Sequence, residues 1–422
     1  MKISKLLLPF VLLLSVFSCK ENDVEPIDVT VKNKVVAVMT DWYLWNDGLS
    51  AEVDVNDFDS PEALISSLRN AKDKWSSIQE EVAFDQYYVS AEYVGLGFAS
   101  TWLSDTELRV SLVYKGSPAY EAGLRRGMQI LEVNGVPVQA ISNFNAAFGA
   151  DEAGVSVSLK VKKTGEAEEE LQMTKAVVDI TTVPHRSVIE LGNKKVGYVV
   201  FNNFIERSKE DLNEAFDFFA AEGVDELVLD LRYNRGGLLN IAGYLSSIIA
   251  PPTLKDELLV QITFNEEKAD ENTPVNFEET PYSFDFDKVV IITTKSSASA
   301  SEVVINGLKP YLDVKTVGDD SYGKPVGASS FRFDGYVFTP ITFKITNADG
   351  VAEYFDGIPA DVKVPDGLTY DFGDVDEDCL KEALYYIENG AFSAEGKRMA
   401  APRVVQKNEE MYEGINKEIG AF

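Results

Sequence analysis

Val289-Val290-Ile291-Ile292, then Ser296-Ser297-Ala298-Ser299-Ala300-Ser301-Glu302, then Val303, Val304, Gly307 and Leu308 at helical spacing, read as a strand, a serine-rich turn and a helix. A serine in such a turn lies where a strand ends and a helix begins, with backbone N–H groups pointing outward. The alanines on either side of Ser299 leave room for a peptide carbonyl. The helix N-terminus offers donors and partial positive charge to an oxyanion. Taken alone, the run also reads as a serine-rich helix cap. Gly323-Lys324 follows, so the turn has a candidate base within reach of its sequence neighbourhood. The pair points to a serine hydrolase that works without histidine.

Strands and helices alternate on both sides of this stretch. Val196 to Phe201 reads as a strand, Glu210 to Ala221 as a helix and Glu226 to Leu231 as a strand, followed by Asp230-Leu231-Arg232-Tyr233-Asn234-Arg235-Gly236-Gly237 and an apolar helix from Leu238. Such alternation predicts a mainly parallel α/β layer. Gly236-Gly237 marks at least a tight strand-to-helix turn. Upstream, Val24 to Glu80 reads as helical, with Trp42, Tyr43, Trp45 and Trp75 as packing residues. Asp59-Ser60-Pro61-Glu62 reads there as a helix start, with proline in the first turn.

Between these regions stand Gly95-Leu96-Gly97-Phe98, Leu108 to Val113, Gly116-Ser117-Pro118-Ala119, Ala122-Gly123-Leu124 and Val133-Asn134-Gly135. Ser117 and Pro118 start a short helix, and Asn134-Gly135 is a hairpin turn. The ordered set resembles a PDZ domain over residues 88–176. The resemblance implies that Gly95, Leu96, Gly97 and Phe98 form a loop whose N–H groups take a peptide's terminal carboxylate, while the peptide adds as a strand to the sheet edge.

Ala298-Ser299-Ala300-Ser301-Glu302 and Tyr322-Gly323-Lys324 together resemble the motifs of the carboxyl-terminal processing, or tail-specific, peptidases. In that family of Ser-Lys proteases a glycine of the Asp-Leu-Arg…Asn-x-Gly-Gly segment lends its N–H to the oxyanion hole, and Asp356-Gly357-Ile358-Pro359-Ala360-Asp361 resembles a further segment with proline and alanine in altered order. The resemblance covers about residues 88 to 390. It implies Ser299 as nucleophile and Lys324, 25 positions on (324 minus 299), as base. Gly236, Gly237 and Ala300 would form the oxyanion hole. The fold it implies is mixed α/β: a crotonase/ClpP-like catalytic core at 177–395, the β-rich PDZ domain inserted at 88–176, a helical region at 19–87 and a tail at 396–422. One departure stands out. The family commonly has glutamine four positions after the lysine, where it orients the amine; here it is Ala328. Ser329 and Ser330 are polar alternatives.

For Lys324 to act as a base it must be neutral a useful fraction of the time, which requires its pKa to fall from about 10.4 toward 7 or 8 by desolvation. A rival mechanism uses the only histidine, His185, with Asp230 and Ser299. The surroundings of His185 read as a loop leading to a strand, which disfavours it. A second function class is a non-catalytic peptide binder on the same fold, which Ala328 keeps open.

The first residues, Met1-Lys2-Ile3-Ser4-Lys5, precede an apolar stretch from Leu6 to Phe17, too short to span a bilayer and suited to a signal peptide over 1–18. Val16-Phe17-Ser18-Cys19 resembles a lipobox, which implies lipidation at Cys19, a membrane anchor, and a bacterial cell-envelope location at the periplasmic face or outer surface. The net charge of −30, from 69 acidic and 39 basic residues, argues against nucleic acid as a partner. Protein or peptide substrates with free C-termini are the expected partners. One histidine and two cysteines are too few for a zinc site of the usual kind. The run from Asp371 to Asp378 lacks the ligand alternation of a calcium loop and reads as a cap for a helix near Leu380. No metal or cofactor is expected.

Overall fold

A computed structural model of the chain describes residues 27–396, apart from 51 and 287. The expected signal peptide, the lipobox with Cys19, and the tail beyond 396 lie outside the described residues.

The centre is a six-stranded sheet in the order His185–Leu191, Lys194–Val200, Glu226–Asp230, Val289–Thr293, Val314–Gly318 and Val362–Lys363. Only the first pair is antiparallel; the rest are parallel. Glu226–Asp230 and Val289–Thr293 are buried at every position, as expected of parallel strands covered on both faces. The two-residue alternation sorts their side chains between the faces. Leu227, Leu229, Val289 and Ile291 pack under the helices Ser208–Glu222, Leu239–Ile249 and Ala300–Leu308. Val228, Val290 and Ile292 pack with the helix Asp378–Asn389 on the other side. Each such fully buried aliphatic side chain stabilises the fold by about 1.5–3 kcal/mol. A second, four-stranded sheet, ordered Thr273–Asn276, Leu258–Phe264, Ile341–Asn347 and Val326–Ala328, leans on the helical face. The mixed α/β architecture expected from the sequence is therefore present.

The N-terminal unit departs from the all-helical reading. It has the helices Ile27–Trp42 and Pro61–Leu68, the latter capped by Ser60, whose hydroxyl accepts the Ala63 N–H, with Pro61 at its first position. It then ends in a strand, Ser77–Glu80, paired antiparallel with Tyr336–Thr339 of the core. Ile78 is buried between the partly exposed Ser77 and Gln79, an alternation too short to break the helical reading of its surroundings. This strand ties the unit into the core.

The chain enters the next unit at Glu92–Gly95 and leaves at Ala176–Asp179, which pair antiparallel. Between them lies a sheet with Phe98–Ser104 at one edge, and Asn134 and Gly135 make the hairpin turn at φ 50° and 76°. Ser117 caps the short helix Pro118–Glu121 by accepting the Tyr120 N–H. Arg126 fastens this unit to the core. Its guanidinium donates to the Tyr233 hydroxyl at 2.7 Å and to Asp366 at 3.1 Å, and lies 4.2 Å from the Phe372 ring centre. Asp366 also takes Arg232, which pairs in turn with Asp230 and Glu377. Glu377 accepts the Leu380 N–H as well, so the acidic run caps the last helix as its sequence suggests.

Candidate active site

Ser299 follows the strand Val289–Thr293 and precedes the helix Ala300–Leu308, at φ 54° and ψ −114°. A positive φ for a residue with a Cβ costs about 1–3 kcal/mol and persists only when the surroundings impose it. The surroundings are identifiable. Ala298 N–H donates to the Asn234 carbonyl at 3.1 Å, and Ser299 N–H donates to Glu302 Oε2 at 2.8 Å. Ser297 Oγ donates to the Leu231 carbonyl at 2.7 Å, and Ser301 Oγ to the Asn234 carbonyl at 2.9 Å. Ser297 and Ser301 are fully buried, whereas Ser299 is partly exposed. Of the three serines, only Ser299 presents itself to a substrate; its neighbours hold the turn.

Gly236 and Gly237 lie against this turn. A Cβ on Gly236 would stand 2.8 Å from the Ser299 Cβ, and one on Gly237 would stand 2.1 Å from the Phe204 carbonyl oxygen. Both have positive φ, 98° and 135°. Contact and conformation each require glycine here. Asn234 Oδ1 accepts the Gly236 N–H at 2.9 Å. That amide is occupied, which separates it from the other two expected oxyanion donors. Gly237 is exposed and its N–H has no hydrogen-bond partner among the described residues. Ala300 is the first residue of its helix, where an N–H has no partner within the helix.

Glu302 joins this turn to the lysine turn. Its carboxylate is fully buried and accepts four donors: Ser299 N–H and Lys324 N–H on Oε2, both at 2.8 Å, and Ser321 Oγ and Gly323 N–H on Oε1, both at 2.6 Å. Burial pushes the Glu302 carboxyl above the ordinary glutamate range, against the pull of those four bonds. Gly323 has φ 103°, and a Cβ there would stand 2.4 Å from the Phe355 carbonyl oxygen. One carboxylate thus fixes the backbone of the candidate nucleophile and that of the candidate base. Lys324 is half-buried, with Nζ 5.7 Å from the centre of the Trp75 ring.

The rival histidine is placed elsewhere. His185 begins the outer strand of the sheet, three strand spacings from Val289–Thr293, or about 14 Å at roughly 4.8 Å per spacing. Its Nε2 faces Ser187 Oγ at 3.2 Å and its ring lies tilted against Tyr198, 5.5 Å between centres. Burial lowers its pKa, against the pull of Asp371 and Asp230. The Asp230 carboxylate is committed to Arg232 and to the Tyr198 hydroxyl. His185 and Asp230, already disfavoured by their sequence surroundings, are thus held in contacts of their own away from the Ser299 turn.

Ala328 ends the strand Val326–Ala328 opposite Ile341. Ser329 Oγ is paired with Thr342 Oγ1 at 2.8 Å, and Ser330 is exposed. In the PDZ-like unit, Gly95, Leu96, Gly97 and Phe98 are all buried. Leu96 and Phe98 belong to that unit's core. The Gly97 N–H donates to the Tyr93 hydroxyl, and its carbonyl accepts Tyr114 N–H and Ser117 Oγ.

Comparison with known proteins fits this geometry. Residues 195–364 match Peptidase family S41, residues 30–77 the Peptidase S41 N-terminal domain, and residues 109–163 a PDZ domain. The chain belongs to peptidase family S41. This S41 chain is 25% identical over 325 residues to the carboxy-terminal processing protease CtpA of Bacillus subtilis, covering 75% of this chain and 66% of that protein. It is 26% identical over 351 residues to a CtpA-like serine protease of Staphylococcus epidermidis, covering 78% and 68%. It therefore spans about two thirds of the length of these relatives. Among solved structures, an S41 protease from Bacteroides fragilis NCTC 9343 superposes with a TM-score of 0.71 at 25% identity, covering 87% of this chain and 98% of that one. The photosystem II D1 C-terminal processing protease shares the fold, with a TM-score of 0.53 at 19% identity over 80% and 92%.

Proposed function

We propose that this S41 chain is a serine endopeptidase in which Ser299 attacks and Lys324 takes the proton. The observation that carries the reading is the Glu302 carboxylate, which binds the Ser299 and Lys324 amides on one oxygen atom. In the reaction, neutral Lys324 Nζ accepts the Ser299 Oγ proton as Oγ bonds to the scissile carbonyl carbon. The oxyanion accepts hydrogen bonds from the Gly237 and Ala300 amides. Lys324 then returns the proton to the departing amine as the C–N bond breaks, leaving an ester on Ser299. Water attacks the ester, giving its proton to Lys324, and the carboxylate product leaves as Ser299 recovers its hydrogen. No cofactor takes part in any step.

The PDZ unit would recognise substrate C-termini along the free edge of Phe98–Ser104, which pairs on one side only. Carboxylate capture at Gly97 would displace the Tyr93 hydroxyl from its amide. The chain would be tethered at Cys19 in a bacterial cell envelope. Radiolabelled palmitate incorporation in a bacterial host, abolished by Cys19→Ser, tests the tether.

A peptide-binding protein without turnover is the second reading. It is favoured by the methyl group of Ala328 where a polar side chain would orient the lysine. Hydrolysis of an unstructured peptide with an apolar C-terminus decides between them. The peptidase reading expects cleavage by the wild-type chain and none by Ser299→Ala or Lys324→Ala, with His185→Ala nearly unchanged. Binding without cleavage by the wild type would establish the second reading.

A further inference from the structure

The Lys324 amine meets an aromatic ring contributed by a distant part of the chain. Trp75 belongs to the N-terminal unit, and its indole centre lies 5.7 Å from Lys324 Nζ. The ring is held on several sides. It meets Tyr322 of the lysine turn edge-on at 6.4 Å and stacks on Phe355 at 6.5 Å. The Phe355 carbonyl itself abuts Gly323. The Trp75 backbone N–H donates to Asp73 Oδ1 at 2.9 Å, and Asp73 also takes Tyr43 OH and Ser76 Oγ. Ser76 Oγ accepts the Ile341 N–H, which locks this stretch onto the core sheet. The indole is therefore a fixed wall beside the amine.

Its chemistry is informative too. The Trp75 Nε1–H is buried and has no hydrogen-bond partner among the described residues. A phenylalanine would fill much of the same space without stranding a donor, so packing alone gives no reason for an indole. A cation over its face does, because tryptophan is the strongest cation–π partner among the side chains. At Ala328 a methyl group stands where the family commonly has an amide, and Ser329 is turned to Thr342.

We propose that Trp75 is a positioning residue for Lys324: its ring face orients the amine and favours the ammonium that forms as Lys324 accepts the Ser299 proton. This rests on the Ser-Lys reading above. An interaction that strengthens as charge develops acts on turnover more than on substrate binding. A cation–π contact of ordinary strength corresponds to about a 2- to 30-fold effect.

The test is made on the full mature chain with one peptide substrate at the alkaline plateau of activity. Trp75 is replaced site-specifically by mono-, di- and trifluorotryptophan, which keep the ring's shape and weaken the electron density of its face. The expected result is a stepwise fall in kcat along the series, about threefold or more at the trifluoro member, with KM within about twofold and an unchanged Tm. Trp75→Phe is expected to retain more kcat than Trp75→Leu. A flat kcat series, or a change confined to KM, overturns the proposal; the latter would make Trp75 a substrate contact. Ser299→Ala and Lys324→Ala run alongside. If both are inactive while the fluorinated series is flat, only the Trp75 inference fails. If either retains wild-type turnover, the Ser-Lys reading fails and this inference falls with it.

Discussion

Replacing Glu302 by glutamine changes little in size and much in hydrogen bonding. The carboxylate accepts two donors on each oxygen, and a glutamine amide keeps an acceptor on only one side. With the NH2 group toward Ser299 and Lys324, two backbone N–H groups would be stranded in a buried site, at about 1–3 kcal/mol each. With the NH2 group on the other side, the Ser321 hydroxyl can rotate and accept, leaving only the Gly323 N–H unpaired, so the variant adopts this orientation. The expected cost is then about 2 kcal/mol. Expressed fully as lost alignment of nucleophile and base, that is about a thirtyfold fall in kcat/KM. The fall should appear in kcat, with an unchanged far-UV circular dichroism spectrum. Glu302→Ala strands all four donors and is expected to lose both the site and much of the stability. Steady-state kinetics on one peptide, with thermal melts alongside, measure both effects. A Glu302→Gln enzyme within twofold of wild type in kcat/KM would refute the clamp.

Ser297→Ala strands the Thr294 N–H and removes one of the two donors to the Leu231 carbonyl, which keeps the Asn234 N–H, and should cost about 1–3 kcal/mol of stability while retaining chemistry; chemical denaturation and kinetics together check this. Asp366 and Glu377 would be raised by burial, but Arg126 and Arg232 acting on Asp366, and Arg232 on Glu377, outweigh it and hold both below the usual carboxylate range. Their contribution is therefore complete above about pH 4 and lost as pH falls through the depressed values. Small-angle scattering should find the PDZ unit docked at pH 5 and released only near pH 3 or below; release between pH 7 and 5 would contradict the Arg126–Asp366 latch. Amidating the C-terminus of a peptide substrate should weaken binding or slow cleavage if the PDZ edge takes a free carboxylate, and equal kcat/KM and affinity for acid and amide would refute that capture.

Much of the site was legible because it is written in short local patterns. The strand from Val289, the turn around Ser299 and the helix after it need no distant partner to be read, and the structure places them in that order. Gly236 and Gly237 were legible as a turn, but not the division between them, because the Gly236 amide is taken by Asn234 through side-chain geometry. Glu302 carried a signal of its own, a glutamate three residues after a serine at a helix start, which is a capping-box pattern. Its second role, reaching Ser321, Gly323 and Lys324, depends on how the two turns meet. Trp75 gave no sign beyond an apolar aromatic, since its partner lies in another unit. Ser77–Glu80 was masked by the helical neighbourhood until its pairing with Tyr336–Thr339 was seen. The Gly95-Leu96-Gly97-Phe98 motif marks a loop without fixing which way its side chains turn, and Leu96 and Phe98 turn into their unit's core.

The central claim is that Ser299 is the nucleophile and Lys324 its base. Intact-mass measurement and peptide mapping after treatment with a peptidyl fluorophosphonate test it most directly. The account predicts a single adduct on Ser299, formed at the wild-type rate in His185→Ala and strongly suppressed in Lys324→Ala. An adduct on Ser297 or Ser301, or undiminished labelling of Ser299 in Lys324→Ala, would contradict it.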